Sequence, residues 1–305
     1  MDEPVIEAEL ACGPTQQDGW FESFDGTRLY YEIEGTAGDI DLLLCDGIGC
    51  DGFIWRYLRP HLLDRGRIIH LHMRGHGRSD PPKDKAAVLI HHLADDWRAL
   101  LDHLGCTRAV ALGHSMGVQV ALELAHRDGS RIEGLALLCG SFENPVGTFH
   151  DGRGLERILP MMRGAVRVGG TVMRAAWNRL VKLPAAFHVA RMTEIHPDLA
   201  RRRDFEPYLA HLSMMDPRLF LDMLDGTRQH SARPWLSQLN IPVLVVAGEQ
   251  DRFTPGRLSR EMADLLPQGE LLMVEEGTHT APIEHPTQVD LAVTDFLDTH
   301  FFALT

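Results

Sequence analysis

AVALGHSMGVQVALELA, residues 109–125, decides the fold. A short apolar run of strand type leads into Gly113-His114-Ser115-Met116-Gly117, and a helical pattern begins at once. G-x-S-x-G between a strand and a helix is the setting that lifts a serine above the edge of a parallel sheet. The turn is so tight that it strains the serine backbone. A side chain two residues before or after would collide there, and glycine at both places removes the collision. Ser115 Oγ then projects above the sheet. The N–H of Met116 sits at the helix start, where partial positive charge favours an anion.

A serine hydroxyl is a weak nucleophile and needs a base held by a third group. VLVVAGEQDRFTP (243–255) places Asp251 just past a strand, and LLMVEEGTHTAPIEHP (271–286) places His279 just past the next. The order Ser115, Asp251, His279 is the one this architecture requires, and such sites assemble in loops at the carboxyl ends of parallel strands. Glu249 rivals Asp251, but it lies nearer the strand end, where it would satisfy loop backbone. His285 rivals His279, but it precedes Pro286 near a helix start, which fits a capping or surface position.

The rest of the chain repeats the strand–helix rhythm. GWFESFDGTRLYYEIEG (19–35) reads as a hairpin about Asp25-Gly26. Six apolar runs follow: DLLLC, RIIHLHM, AVALG, IEGLALLC, IPVLVVAG and ELLMVEE. Helical patterns lie between them: FIWRYLRPHLLD, HHLADDWRALLDHLG, MGVQVALELAHR, GRLSREMADLLP and QVDLAVTDFLDTHF. The alternation predicts an α/β fold with a mostly parallel eight-stranded sheet flanked by helices. Residues 142–233 break the rhythm with helical stretches only. They predict an inserted all-helical cap, with 1–141 and 234–305 forming the core. The insertion holds 14 Lys/Arg against 10 Asp/Glu in a chain of net charge −13, and seven of the twelve methionines.

That net charge argues against nucleic-acid binding, which needs a basic face. No apolar run approaches the ~20 residues of a membrane span, and MDEPVIEAELACG (1–13) lacks the basic and apolar regions of a signal peptide. Cys12, Cys45, Cys50, Cys106 and Cys139, odd in number, read as reduced thiols in a cytoplasmic protein.

With GHSMG (113–117), RGHGRSD (74–80), GEQDRFTP (248–255) and GTHTAPIEHP (277–286) in hand, the chain from Trp20 onward resembles the α/β-hydrolase superfamily. It resembles those members with a helical cap inserted after the sixth strand. The resemblance bears on DGIGCDG (46–52), where Gly47, Gly49 and Gly52 also spell the G-x-G-x-x-G of a dinucleotide turn. That alternative lacks its acidic residue at the end of the next strand, where His72 and Met73 stand instead. A hairpin also precedes the loop, whereas the dinucleotide fingerprint usually opens its domain. The resemblance implies that the loop supplies half of an oxyanion hole. The N–H of Ile48 would complement that of Met116, with Gly47 and Gly49 letting the backbone approach.

The family tends to have His-Gly where this chain has Asp46-Gly47, and Asp-x-x-Gly-x-Gly-x-Ser where it has His72 through Ser79. The two departures predict a reciprocal exchange, in which Asp46 and His72 pair with the partners reversed. An unpaired carboxylate beside an oxyanion hole would oppose the charge to be stabilised. The expected supporting residues are therefore Asp46, Gly47, His72 and His114.

Other features take plainer readings. His70, His72 and His76 find no further ligand in the local sequence, so no metal is expected. His91-His92 read as a solvated helix start, Cys45 and Cys50 as packing residues, and Arg201-Arg202-Arg203 as a solvated helix face. Met161-Met162 and Met214-Met215 fit either core or an adaptable acyl pocket. The expected activity is hydrolysis of a small apolar ester without a cofactor, by an acyl-enzyme route. C–C bond, lactone and thioester hydrolysis and perhydrolysis are alternatives on the same residues. So is a hydrolase-fold protein that binds a ligand without turnover.

Overall fold

The computed structural model describes residues 17–302 apart from 37, 150, 151, 184, 186, 188–194 and 197. Chain order runs β1 (Gln17–Glu22), β2 (Arg28–Gly35), β3 (Asp41–Cys45), a 3-10 turn (Phe53–Trp55), α1 (Arg59–Leu62) and β4 (Arg67–Leu71). Next come α2 (Ile90–Leu104), β5 (Ala109–His114), α3 (Met116–Arg127) and β6 (Ile132–Leu138). Helices α4 (Gly154–Val181), α5 (Arg202–Met214) and α6 (Pro217–Gln229) follow. The chain ends with β7 (Val243–Gly248), α7 (Gly256–Leu265), β8 (Gly269–Val274), α8 (Ala281–Glu284) and α9 (Pro286–His300).

One eight-stranded sheet results, in the order β1-β2-β4-β3-β5-β6-β7-β8. β1 pairs antiparallel with β2, and β2 with β4; every other pairing is parallel. β3, β5 and β7 are buried along their whole length, as strands covered on both faces must be. The period of two divides their side chains between the faces. Leu43, Ala111, Leu135 and Val245 pack with Trp97 of α2, Leu122 of α3 and Met262 of α7. Leu42, Leu112, Ala136 and Val246 pack on the other face with Trp55 and with Val293 and Phe296 of α9.

Two local readings need correction. The first hairpin is joined by residues 23–27 rather than by a two-residue turn, since Glu22 already pairs with Arg28. Asp25 Oδ1 accepts the N–H of Thr27, an Asx turn that needs the extra residues. FIWRYLRPHLLD does not form one helix. Trp55 Nε1 is tied to Asp46, and Pro60 lies in the first turn of α1, so the segment divides into a 3-10 turn and a short helix.

Between β6 and β7 the described elements are helices, joined by one isolated bridge from Glu143 to Ser231. α4 breaks at Gly170, whose φ of 50° lies in the left-handed region. Trp177 Nε1 donates to the carbonyl of Leu212 at 2.9 Å and ties α4 to α5. No helix among the described residues is long and apolar enough to cross a membrane.

Candidate active site

Ser115 stands between β5 and α3 with φ 55° and ψ −118°, a conformation that costs a non-glycine residue about 1–3 kcal/mol. Its surroundings fix it. Its N–H donates to the carbonyl of Leu138 at 3.1 Å, and its carbonyl accepts the N–H of Val118. The flanking glycines allow close approach, though not against the serine itself. A Cβ on Gly117 would lie 1.9 Å from the Cys45 carbonyl oxygen, and one on Gly113 would meet the backbone of Gly117 at 2.5 Å. Gly117 thus lets the turn seat itself on β3, and Gly113 lets β5 lie close under the start of α3.

His279 lies in the loop after β8, and Asp251 in the loop after β7. His279 Nε2 is 2.9 Å from Ser115 Oγ, and its Nδ1 is 2.9 Å from Asp251 Oδ2. The Asp251 carboxylate also accepts the N–H groups of Phe253 and Thr254 and the Thr254 hydroxyl, at 2.7 to 2.8 Å. Those bonds fix its direction and satisfy its remaining lone pairs, as a buried carboxylate requires. Glu284, which sequence reasoning missed, holds the other side of the loop. It accepts the N–H and hydroxyl of Thr278 and the hydroxyl of Thr280, the two neighbours of His279. His114 ties the serine turn to this loop, with Nε2–H donating to the His279 carbonyl at 3.0 Å. Burial, with His279 nearby, pushes its pKa down to about 4, so it stays neutral.

The rivals lie elsewhere. Glu249 is exposed and faces the N–H of Glu276 at 3.5 Å, and His285 is the residue preceding α9.

The loop 46–52 approaches Ser115 at Gly47, where a Cβ would come within 2.9 Å of the serine Cβ. Ile48 and Met116 line a recess of about 10 Å³ together with Ser115. Asp46, at the start of the loop, and His76, from beyond β4, pin it. Asp46 accepts from the N–H of Gly52 at 2.9 Å and from Trp55 Nε1 at 2.7 Å. His76 Nε2 accepts the N–H of Gly49 at 3.0 Å, while its Nδ1–H donates to the Arg74 carbonyl. Burial pushes the His76 pKa down to about 4, which keeps Nε2 free to accept. The G-x-G-x-x-G glycines lead into the 3-10 turn and the four-residue α1 rather than directly into the long helix whose start binds phosphate in a dinucleotide fold.

The expected Asp46–His72 pair does not form. Asp46 Oδ2 pairs with Nε2 of His70, two residues earlier on β4, at 2.9 Å. His72 turns instead to Asp51, whose Oδ1 lies 2.9 Å from its Nδ1. The Arg78 N–H also reaches that nitrogen, at 3.1 Å. Nδ1 is thus the acceptor of that N–H, and Asp51 Oδ1, which has no hydrogen-bond partner, faces the ring as a close electrostatic contact. Burial alone would lower the His70 pKa, but the Asp46 carboxylate outweighs it and raises it to about 9. The compensation expected at Asp46 is therefore met by a different imidazole.

A cavity of about 280 Å³ is lined by Ser115, His114 and His279 on the sheet side and by Trp177, Phe220 and Leu221 from α4 and α6. Its walls are mostly apolar and aromatic. Met162 reaches it, whereas Met161 and Met214 are exposed and Met215 is buried away from it. Cys50 lines it and Cys45 packs in the core. Arg201, Arg202 and Arg203 are exposed, with Arg202 paired to Glu206. Cys12 lies outside the described residues.

Comparison with known proteins follows the same lines. The chain is 30% identical over 303 residues to the dihydrolipoyllysine-residue acetyltransferase component of an acetoin cleaving system from Pseudomonas putida, covering 96% of this chain and 72% of that one. It is 25% identical over 278 residues to Protein ABHD8 of Mus musculus, covering 87% of this chain but little more than half, 56%, of that relative. Among solved structures, Est816, an N-acyl homoserine lactone degrading enzyme, aligns with a TM-score of 0.70 at 25% identity, covering 91% of this chain and 100% of that one. Residues 42–286 match the family described as alpha/beta hydrolase fold, and the chain belongs to that family.

Proposed function

We propose that the chain is a serine hydrolase that cleaves a small apolar carboxylic ester through an acyl-enzyme intermediate. One observation carries this reading: His279 bridges Ser115 Oγ and Asp251, at 2.9 Å on each side, beside a mostly apolar cavity. His279 Nε2 takes the hydroxyl proton as Oγ attacks the ester carbonyl. Asp251 holds the proton on Nδ1 and stabilises the imidazolium. The N–H groups of Ile48 and Met116 receive the oxyanion, each donor being worth ~3 kcal/mol in such sites. The imidazolium then protonates the departing alkoxide. Water repeats the cycle with His279 as base, and the carboxylic acid leaves. Residues 142–233 act as the cap whose helices close the cavity and select the acyl chain. Lactone opening is a second reading, favoured by the likeness to Est816, because a lactone is an ester whose leaving group stays tethered.

Labelling with a serine-directed phosphonate, followed by peptide mass analysis, tests the nucleophile. A panel of p-nitrophenyl esters of graded chain length, lactones and vinylogous diketones tests the bond cleaved. The expected result is one label per chain on Ser115 and turnover of short esters, with Ser115→Ala reducing kcat/KM by at least about 10⁴-fold. A protein that takes no label and turns over none of the panel would be a ligand-binding member of the fold instead.

A further inference from the structure

Behind the loop 46–52 lies a second cluster of chemistry-bearing side chains that ester hydrolysis does not use. The pairing of β2 with β4 sets Glu32 directly opposite His70, and His72 follows two residues on, so the three share one face of the sheet. His70 Nδ1 and His72 Nε2 are buried and accept or donate no hydrogen bond. Both face the Glu32 carboxylate at 3.7 Å, one toward each oxygen, which is beyond hydrogen-bond reach. The three donor atoms lie within 4.8 Å of one another.

We infer that Glu32, His70 and His72 form a binding site for a divalent transition metal of the Zn²⁺ type. Ligands about 2.0–2.1 Å from a tetrahedral ion stand about 3.4 Å apart, so the 3.7 Å contacts must close by a few tenths of an ångström and the widest spacing in the set, at most 4.8 Å, by up to about 1.4 Å. The outer partners fit as well. A metal-bound imidazole donates its other N–H to a carboxylate. Here His70 Nε2 meets Asp46 at 2.9 Å, while Asp51 Oδ1, without a hydrogen-bond partner, stands 2.9 Å from His72 Nδ1 and can take its N–H once the Arg78 N–H is released. Three carboxylates therefore surround two imidazoles. The nearby cation, Arg59, sits closer to Glu34 (2.8 Å) than to Glu32 (3.5 Å). Two imidazoles and one carboxylate leave a fourth position open, and Glu32, about one quarter exposed, gives an entry path. The sequence could pair His70 with His72 but had no means of supplying the third ligand, which comes from another strand. The ion would tie β2 to β4 and, through Asp46, brace the loop that carries Ile48.

The test uses the full chain after chelator treatment, titrated calorimetrically with Zn²⁺ and spectroscopically with Co²⁺. We expect one equivalent bound with micromolar or tighter affinity, visible Co²⁺ absorption bands, and a Tm about 5 °C higher in excess Zn²⁺. Glu32→Gln keeps the side-chain size at the rim of the site and is expected to weaken binding at least 100-fold. The exposed pair His91 and His92, with ring nitrogens 3.1 Å apart, is the adventitious alternative. Binding that is absent, that survives Glu32→Gln, or that disappears in His91→Gln/His92→Gln instead would overturn the inference. So would imidazole resonances of His70 and His72 that do not move when Zn²⁺ is added at pH 7, since the ion must displace the ring proton that Asp46 stabilises on His70.

Discussion

His279 and His70 make the same bond in two different settings. Each is a buried imidazole with one ring nitrogen 2.9 Å from a buried carboxylate, Asp251 in one case and Asp46 in the other. The opposite nitrogen separates them. That of His279 meets a hydroxyl at 2.9 Å, so a proton can pass through the ring. That of His70 meets no hydrogen-bond partner and faces a third carboxylate at 3.7 Å, so the ring has no hydrogen-bonded relay through which a proton could pass. An imidazole–carboxylate pair is therefore not by itself a sign of proton transfer; the group on the far nitrogen decides.

Replacing the two carboxylates separates the settings most sharply. Asp251→Asn should lower kcat by about 10⁴-fold with little change in the melting transition, because the amide reverses the tautomer that His279 needs. Asp46→Asn should do the opposite. Breaking a buried, hydrogen-bonded charge pair destabilises by about 3–5 kcal/mol, whereas the chemistry suffers only through the loop. Ester turnover and urea denaturation of both variants provide the check. If Asp46→Asn abolished turnover at unchanged stability, the two pairs would not differ in kind.

His76 allows a finer distinction. Its Nε2 holds the Gly49 N–H, one residue past Ile48, without touching the cavity. His76→Ala should leave KM within about threefold and lower kcat about 10- to 100-fold, as expected when an oxyanion donor drifts but does not vanish. A KM change with kcat preserved would mean that the loop shapes ground-state binding instead.

The sequence carried the sheet, the serine turn and the strand-end positions of Asp251 and His279, because each is written in local periodicity and glycine spacing. It erred where contacts cross strands. Asp46 and His72 both end neighbouring strands, and nothing in their spacing says that His70, on the same face of β4, lies closer. Glu32 was invisible for the same reason, since its role depends on the register of β2 against β4. Glu284 and Thr254 were within reach. They stand five residues after His279 and three after Asp251, spacings that let a side chain fold back on its own loop.

A third buried acid extends the contrast to a charge with no strong partner. Asp290, in α9, is buried, and its Oδ1 has no hydrogen-bond partner; the exposed His61 ring is 3.7 Å from its Oδ2. Burial raises its pKa from 3.8 to about 7. The folded chain therefore keeps this proton across a range in which the unfolded chain releases it. Stability from this group is complete below about pH 4, falls as pH rises toward 7, and is flat beyond. The full shift converts to about 4 kcal/mol. Relief from His61 and from water near the helix surface should reduce the observed effect to about 2 kcal/mol. Asp290→Asn does not titrate, so its advantage over the parent should widen by that amount between pH 4 and pH 8, read from urea midpoints at both. A gap that stays constant would mean that His61 closes on the carboxylate and pairs with it, so that Asp290 joins His70 and His279 rather than standing apart.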